Sequence, residues 1–323
     1  MKKVGQVLWG IFQVFTYLLI QIIVGVIVTI GYSVIRYFQI SAQGISDFNL
    51  AYEIILDDVV SSSFLMVISC LFSIVSIILY SIWYKKRYVK GKKVNLKEIF
   101  TVKQVSLIIL LAVSVQVFLI TFVGIIQAIK PDWFTNYNEI MKQFDIGNSW
   151  QSLIYVAILG PIVEELLMRG LVLNQMKKAM PFVAANIVQA FLFALLHGNL
   201  VQGSYAFVLG IIFGYIYRKY NTILSTILFH IVFNFSGYVI DIALSGVDLN
   251  LLMIIVISVL TLAISIFVIR LILTEKNAIP IYEAAIGKEL EYINEIVDPN
   301  EIKERNETKD FIMDETVVNH DEI

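Results

Sequence analysis

The sequence is poor in the residues that soluble domains use for their surfaces and for covalent cross-links. Only 15% of its 323 residues are charged, and it contains five prolines, three histidines and one cysteine. The single cysteine, Cys70, excludes an intrachain disulfide, so cysteine usage says nothing about the redox compartment. With 58% of residues apolar and so few charges, a soluble globular domain of this size is excluded, because it could not bury that much apolar surface.

Long apolar runs are present instead. A helix needs about 20 apolar residues to cross the hydrocarbon core of a bilayer. We therefore predict an all-α fold, a polytopic membrane helical bundle of about eight transmembrane helices that occupies residues 1–274. The candidate spans are 8–33, 61–84, 104–128, 151–176, 182–198, 204–217, 222–242 and 250–273.

Lysine and arginine lie in alternate connections between these spans. Basic clusters occur at residues 2–3, 85–103, 177–178 and 218–219. By the positive-inside rule, this pattern predicts a cell-membrane protein with both termini in the cytoplasm. Residues 275–323 are acidic and have few aromatic side chains, which predicts a partly disordered cytoplasmic tail. Nothing in the sequence indicates nucleic-acid binding, so the lipid bilayer is the first expected partner.

Ionisable side chains are nonetheless placed inside several spans. At the centre of a membrane helix a charged residue costs roughly 2.5–3.5 kcal/mol even on the mildest scale, so such residues are usually functional or paired. Asp241, near the outer end of the seventh span, is expected at the interface. The deeper groups are Glu164, Glu165 and Arg169 in the fourth span, His197 at the end of the fifth, and His230 in the seventh.

The spacing of these residues suggests how they meet. Glu165 and Arg169 are four residues apart and can pair on one helix face. His230 and Asn234 share a face in the same way, and Phe193 lies one turn before His197.

Three helices could therefore bring a carboxylate pair, two imidazoles and an amide to one hydrated pocket. The depths of these side chains in the membrane, counted along each span, differ from one helix to the next. At 1.5 Å per residue, Glu164 lies roughly 20 Å below the outer end of its span and His230 about 12 Å from the inner end of its own. That these side chains meet at one depth is therefore a prediction. Pro161 precedes the acidic pair, cannot donate to the carbonyl of Ala157, and should kink or break the helix.

Such a pocket would suit hydrolysis by an activated water. A glutamate can act as general base, and imidazoles can hold the water, bind a metal or donate to an oxyanion, with Asn234 as a second donor. Ser225 and Ser236 have no evident base beside them, and the spacing is not that of a His-Glu-x-x-His zinc protease. Structural alternatives remain open for the same residues: an ion pair between helices, interhelical hydrogen bonds, and plain packing for Gly210 and Gly214.

Three short motifs resemble those of the CPBP family of intramembrane proteases, also called the Abi or CAAX-protease family. They are Glu164-Glu165-Leu-Leu-Met-Arg169, Phe193-Ala-Leu-Leu-His197 and His230-Ile-Val-Phe-Asn234. The resemblance covers roughly residues 150–240. It implies that Glu164 activates the water and His197 helps to hold it, while His230 and Asn234 stabilise the oxyanion. Arg169 would orient the acidic pair, with Glu165 as a supporting carboxylate.

By this resemblance the expected function is an intramembrane endopeptidase that hydrolyses a peptide bond of a membrane-associated protein or peptide near the inner face. The expected cofactor is either none or a divalent metal such as zinc. A metal would be held by Glu164, His197 and His230, and the shared face of His230 and Asn234 favours the metal-free scheme. The alternatives are a non-enzymatic bacteriocin-immunity or peptide-binding protein of the Abi type, and an ion-coupled transporter. The transporter is disfavoured because the chain lacks two matching halves with broken helices.

Overall fold

The computed structural model describes residues 2–89, 100–143 and 150–274, and within these ranges every regular element is helical. The all-α prediction is confirmed. The predicted acidic tail, residues 275–323, lies outside the described residues. The helices are α1 (Lys2–Ala42), α2 (Phe48–Val60), α3 (Ser62–Tyr84, extended by a π turn over Lys85–Val89), α4 (Val102–Ile129), α5 (Thr135–Gln143, after a 3-10 turn over Pro131–Phe134), α6 (150–176), α7 (Phe182–Leu196), α8 (Leu200–Tyr220), α9 (Ile223–Leu244) and α10 (Leu251–Thr274).

Each of the eight predicted spans coincides with one of these helices. Six of them, α1, α3, α4, α8, α9 and α10, are long and apolar enough to cross a membrane. The protein is therefore a multi-pass membrane protein, and eight spans remain a prediction. Helix α7 has 15 residues, which agrees with the short fifth span. Helices α2 and α5 were not predicted; α2 begins at an N-cap, where the Asp47 side chain accepts from the backbone N–H groups of Asn49 and Leu50.

Helix α6 alternates between α and π geometry. Its segments are α over Trp150–Ile154, π over Tyr155–Leu159, α over Gly160–Glu165, π over Leu166–Leu173 and α over Asn174–Met176. The expected break at Pro161 is replaced by the first π segment, in which the N–H of Gly160 bonds the carbonyl of Tyr155. A π segment lets the chain pass a proline without ending the helix, and such segments are frequent at functional sites.

Successive long helices run in opposite directions, so the bundle has two ends. Lys2, Lys3, Lys85, Lys86, Arg87, Lys103, Lys177, Lys178, Arg218, Lys219 and Arg270 lie at the basic end. Asp47, Glu53, Asp57, Asp58, Asp132, Glu139, Asp241 and Asp248 lie at the acidic end. Among the described residues, the acidic end also carries Arg36, Lys130 and Lys142, whereas the basic end carries no acidic side chain.

Close packing of α7 against α8 depends on two glycines of α8. A Cβ atom added at Gly210 would lie 2.8 Å from the Cβ of Ala190, and one added at Gly214 would overlap the side chain of Asn186. The packing interpretation of the Gly-x-x-x-Gly pair is therefore confirmed. The turn between the two helices passes through Gly198, whose φ of +68° is a conformation that favours glycine. This tight reversal holds His197 beside the start of α8.

Candidate active site

The centre of the site is a buried ion pair within α6. The Nη1 atom of Arg169 donates to the Oε1 atom of Glu165 at 2.9 Å, and both side chains are fully buried. The predicted pairing at a spacing of four residues is confirmed. A buried pair of this kind is stable only when its remaining polar atoms also find partners.

The guanidinium group of Arg169 is enclosed by α7 and α8. Its carbon atom lies 4.8 Å from the ring centre of Phe193 and 4.6 Å from that of Phe213. Its Nη2 atom donates to the carbonyl of Gly210 at 3.3 Å, and the same carbonyl accepts from Gln189 at 2.8 Å. The two aromatic faces and the carbonyl stabilise the cation away from water. Phe193 thus supports the arginine as well as packing on His197, at 4.8 Å between ring centres.

His230 of α9 contacts both glutamates. Its Nδ1 atom lies 3.0 Å from Oε1 of Glu165, and its Nε2 atom lies 3.7 Å from Oε2 of Glu164. A carboxylate accepts, so the Nδ1 atom of His230 carries the proton in the neutral ring, and the Nε2 atom then offers a lone pair. Donation from Nε2 to an oxyanion therefore requires the imidazolium form. The mismatch in depth estimated from the sequence is absent, because the two helices place these groups at one level.

His197 is held by its own helix. Its Nδ1 atom lies 2.9 Å from the carbonyl oxygen of Phe193, one turn earlier. Because a carbonyl only accepts, the proton again lies on Nδ1 and the Nε2 atom has a lone pair free to accept from water. Both histidines are thus fixed in the same tautomer by a hydrogen bond on Nδ1.

Asn234 spans the gap between α9 and α6. Its Nδ2 atom donates to the carbonyl of Val156 at 2.7 Å. In the π register of this segment, Val156 would otherwise accept from residue 161, which is a proline and has no N–H. Asn234 therefore satisfies a carbonyl that Pro161 leaves free. A second N–H of the same amide remains for another acceptor.

A cavity of about 690 Å³ connects these groups to the acidic end of the bundle. Four of the predicted site residues line it: Glu164, whose side chain is 21% exposed, His197, His230 and Asn234. Glu165 and Arg169 lie behind this wall and support it. The cavity is large enough for several residues of an extended peptide.

Other lining residues were missed from the sequence. Tyr17 of α1 hydrogen-bonds to Tyr155 of α6, and both lie near Glu164. Gln116 of α4 and Tyr205 of α8 also line the cavity. No spacing rule connects these positions, since they come from four helices. Their only signal was a polar or aromatic side chain within an apolar span.

The two serines considered as nucleophiles are engaged elsewhere. The Oγ atom of Ser225 donates to the carbonyl of Thr222 at 2.7 Å, and that of Ser236 donates to the carbonyl of Phe233 at 2.9 Å. Both hydroxyl groups thus bond to their own helix, one turn back.

The three candidate metal ligands are not arranged as a metal site. In the part of the chain that the structure describes, no group of three or more His, Cys, Asp or Glu side chains is placed to hold a metal ion. The set of Glu164, His197 and His230 therefore does not form a ready site with three protein ligands, the usual number in catalytic zinc centres.

Comparisons with known proteins support one family. Residues 146–236 match the family described as Type II CAAX prenyl endopeptidase Rce1-like. This segment contains all three motifs, from Glu164 to Asn234. Comparison with curated proteins gave no match, and comparison with solved structures gave none either.

Proposed function

We propose that this chain is an intramembrane endopeptidase of the CAAX-protease type in which Glu164 activates a water. The match of residues 146–236 to the Type II CAAX prenyl endopeptidase Rce1-like family supports this proposal. The observation that supports this most directly is the position of Glu164. It is the partly exposed carboxylate of the pair, it faces His230 at 3.7 Å, and it shares a cavity with His197 and Asn234.

The proposed reaction begins when Glu164 takes a proton from water as the water oxygen attacks the carbonyl carbon of the substrate. The carbonyl π electrons move to oxygen, and a tetrahedral intermediate forms. Glu164 then returns the proton to the leaving nitrogen as the C–N bond breaks. The Nε2 atom of His197 accepts from the water and orients it, which is a role that its tautomer allows.

Asn234 and His230 are the proposed groups for the oxyanion. The free N–H of Asn234 can donate to it, because its other N–H is fixed on Val156 and aims the amide. The Nε2 atom of His230 lies 3.7 Å from Oε2 of Glu164, which puts the ring beside the attacking water, and it can donate to the oxyanion in the imidazolium form. Arg169 and Glu165 are positioning residues: the guanidinium fixes Glu165, and Glu165 fixes the Nδ1 atom of His230.

A variant of the base tests the proposal. Glu164→Gln keeps the shape of the side chain and removes its basicity, so cleavage should fall by about 10²-fold or more. Glu139→Gln is the matched control: Glu139 is an exposed acid on α5 that does not line the cavity, and cleavage should be unchanged. Products from a peptide library are measured by mass spectrometry, with and without a chelator. Equal cleavage by Glu164→Gln and wild type would refute the role of Glu164.

Peptide binding without cleavage is a second candidate function. It is favoured by the structural bonds of Glu165 to Arg169 and of Asn234 to Val156, which need no reaction to explain them. If this were the function, the Glu164→Gln variant would keep its full biological effect in cells. Loss of that effect together with loss of cleavage would exclude it.

A further inference from the structure

The basic end of the bundle is closed by side-chain contacts. Tyr88 donates to Gln175 at 3.0 Å, and the ammonium group of Lys178 lies 5.0 Å from the ring centre of Tyr88. On the other side of α6, Lys177 lies 5.6 Å from the ring centre of Tyr217. Gln175 also hydrogen-bonds to the side chain of Gln6. These contacts join α1, α3, α6 and α8, so the described residues of the basic end pack closely together.

The cavity extends in the opposite direction. It follows α9 from His230 to Leu244, α8 back from Leu209 to Gln202, and α4 from Gln116 to Val123. In all three cases the outer residues lie nearer to the loops of the acidic end. The cavity therefore extends toward that end, past Asp241 and Gln202.

The charge of the cavity wall is negative. Among the residues that the structure describes, its ionisable lining consists of Glu164, Asp241, two histidines and tyrosines, and includes no lysine or arginine. Arg169 is fully buried behind the wall, where its charge is matched by Glu165. Asp241 is exposed near the mouth, and no hydrogen bond or ion pair within the described residues engages it. Positive charge is thus favoured in the chamber, whereas a free peptide carboxylate would face two acids and no cation.

We infer that the chamber receives a positively charged peptide segment through the acidic end of the bundle, with Asp241 as the specificity-determining carboxylate at its mouth. This inference rests on the proposed endopeptidase function and names the substrate class for the same site. The site should bind an internal or amino-terminal segment rich in lysine or arginine more tightly than a carboxyl-terminal segment, because the free carboxylate of the latter would face Glu164 and Asp241.

The distribution of charge also sets the side of the membrane. Positively charged connections face the cytoplasm, so the acidic end is expected outside it. The peptide then arrives from outside the cytoplasm, which replaces the expectation of cleavage near the inner face. A net negative mouth on that side would also raise the local concentration of cationic peptides.

Binding and cleavage are measured separately to test the substrate class. The background for binding is Glu164→Gln, and the probes are fluorescent peptides of one length with four lysines, four glutamates or four serines. The lysine peptide should bind on the order of tenfold more tightly than the glutamate peptide, and the difference should shrink with added salt. Equal binding of all three peptides would overturn the inference.

A charge reversal at the mouth identifies the residue. Added to Glu164→Gln, Asp241→Lys should weaken the lysine peptide and strengthen the glutamate peptide, each by about threefold. Asp248→Lys is the matched control: Asp248 is exposed at the same end and is not part of the cavity wall, so the preference should stay. If both reversals act alike, general surface charge and not Asp241 selects the peptide. If the lysine peptide binds selectively but wild type cleaves none of the peptides, the proposed function fails alone.

The side of entry has its own measurement. With Cys70→Ser as background, Asp241→Cys should react with a membrane-impermeant maleimide in intact cells. Lys178→Cys, at the basic end, should react only after the membrane is permeabilised. The reverse pattern would place the mouth in the cytoplasm and overturn that part of the inference.

Discussion

The two ends of the bundle differ in packing as much as in charge. At the basic end, α6 is fully buried from Leu166 to Leu173, and the lysines that follow it pack on tyrosines of α3 and α8. At the acidic end, the first half of the same helix faces a cavity of about 690 Å³. Two consecutive residues in the middle of the helix show the difference in burial. The Glu165 side chain is fully buried, whereas the Glu164 side chain is 21% exposed.

This contrast shows how one helix can serve two purposes. Consecutive residues point about 100° apart around a helix. Glu165 therefore faces Arg169 and the packed interior, and Glu164 faces the cavity. The packed half fixes the geometry that the open half presents to a substrate. Substitutions in the packed half should therefore lower the stability of the fold more than substitutions in the open half.

The largest effect is expected at the packed centre. Arg169→Met leaves the carboxylate of Glu165 buried without its cation, which should destabilise the fold by about 3–5 kcal/mol. Thermal unfolding in detergent measures this. The double variant Glu165→Leu with Arg169→Met removes both charges and should recover most of the loss. If the single variant unfolds at the wild-type temperature, the packed half does not depend on this ion pair.

The next effect concerns the contact between α7 and α8. Gly210→Val forces a side chain against Ala190 and should cost about 1–3 kcal/mol through overpacking. Gly124→Val is its control, because a Cβ atom at Gly124 meets nothing within 4 Å. Unfolding temperatures of the two variants are compared. A similar loss in both would show that lost backbone freedom, and not the contact, is responsible.

A smaller effect is expected at the open half. Asn234→Leu leaves the carbonyl of Val156 without its donor, and interhelical bonds of this kind contribute about 0.6 kcal/mol on average in membranes. Pro161→Ala restores an N–H in the same turn, so the double variant should lose less than the sum of the two single variants. Additive losses would show that residue 161 does not determine the bond of Asn234.

The smallest effect is expected at the rim of the acidic end. Arg36 donates to Asp58 at 2.8 Å, and this bond, followed by that from Tyr32, holds the pKa of the Asp58 carboxyl below its ordinary value. A lowered pKa in the folded state means that stability is present above the unfolded pKa, about 3.9, and is lost as the pH falls through the folded value. Asp58→Asn should therefore lower the unfolding temperature slightly at pH 7 and leave it unchanged at acidic pH, with Asp57→Asn as control. A pH-independent difference would contradict the linkage.

Much of the site could be predicted from local spacing. The pair of Glu165 and Arg169 follows from an interval of four residues, and the stacking of Phe193 on His197 follows from the same interval on α7. The shared cavity of Glu164, His197 and His230 could be proposed from their positions inside apolar spans, but spacing alone could not show that three helices bring them together. Depths counted along separate spans disagreed because span edges are uncertain by several residues.

The hydrogen bond of Asn234 to Val156 and the contribution of Tyr17 could not be predicted. Asn234 bonds to Val156 only because Pro161 shifts the helix into a π register, and a sequence does not state which register follows a proline. Tyr17 comes from a helix outside the family match and meets Tyr155 through tertiary packing. Contacts between helices far apart in the chain leave no periodic signal.

The sequence by itself determined that the chain crosses a membrane as helices, that its cations gather at one end, and that acids and imidazoles lie at depth. Those properties follow from hydrophobicity and local periodicity, which act within a single helix. The tertiary structure decided that His230 lies between two carboxylates, that Glu165 is sealed while Glu164 is open, and that the cavity leads to the acidic end. These depend on how helices cross and rotate against each other, and only the packing of many side chains at once fixes those angles.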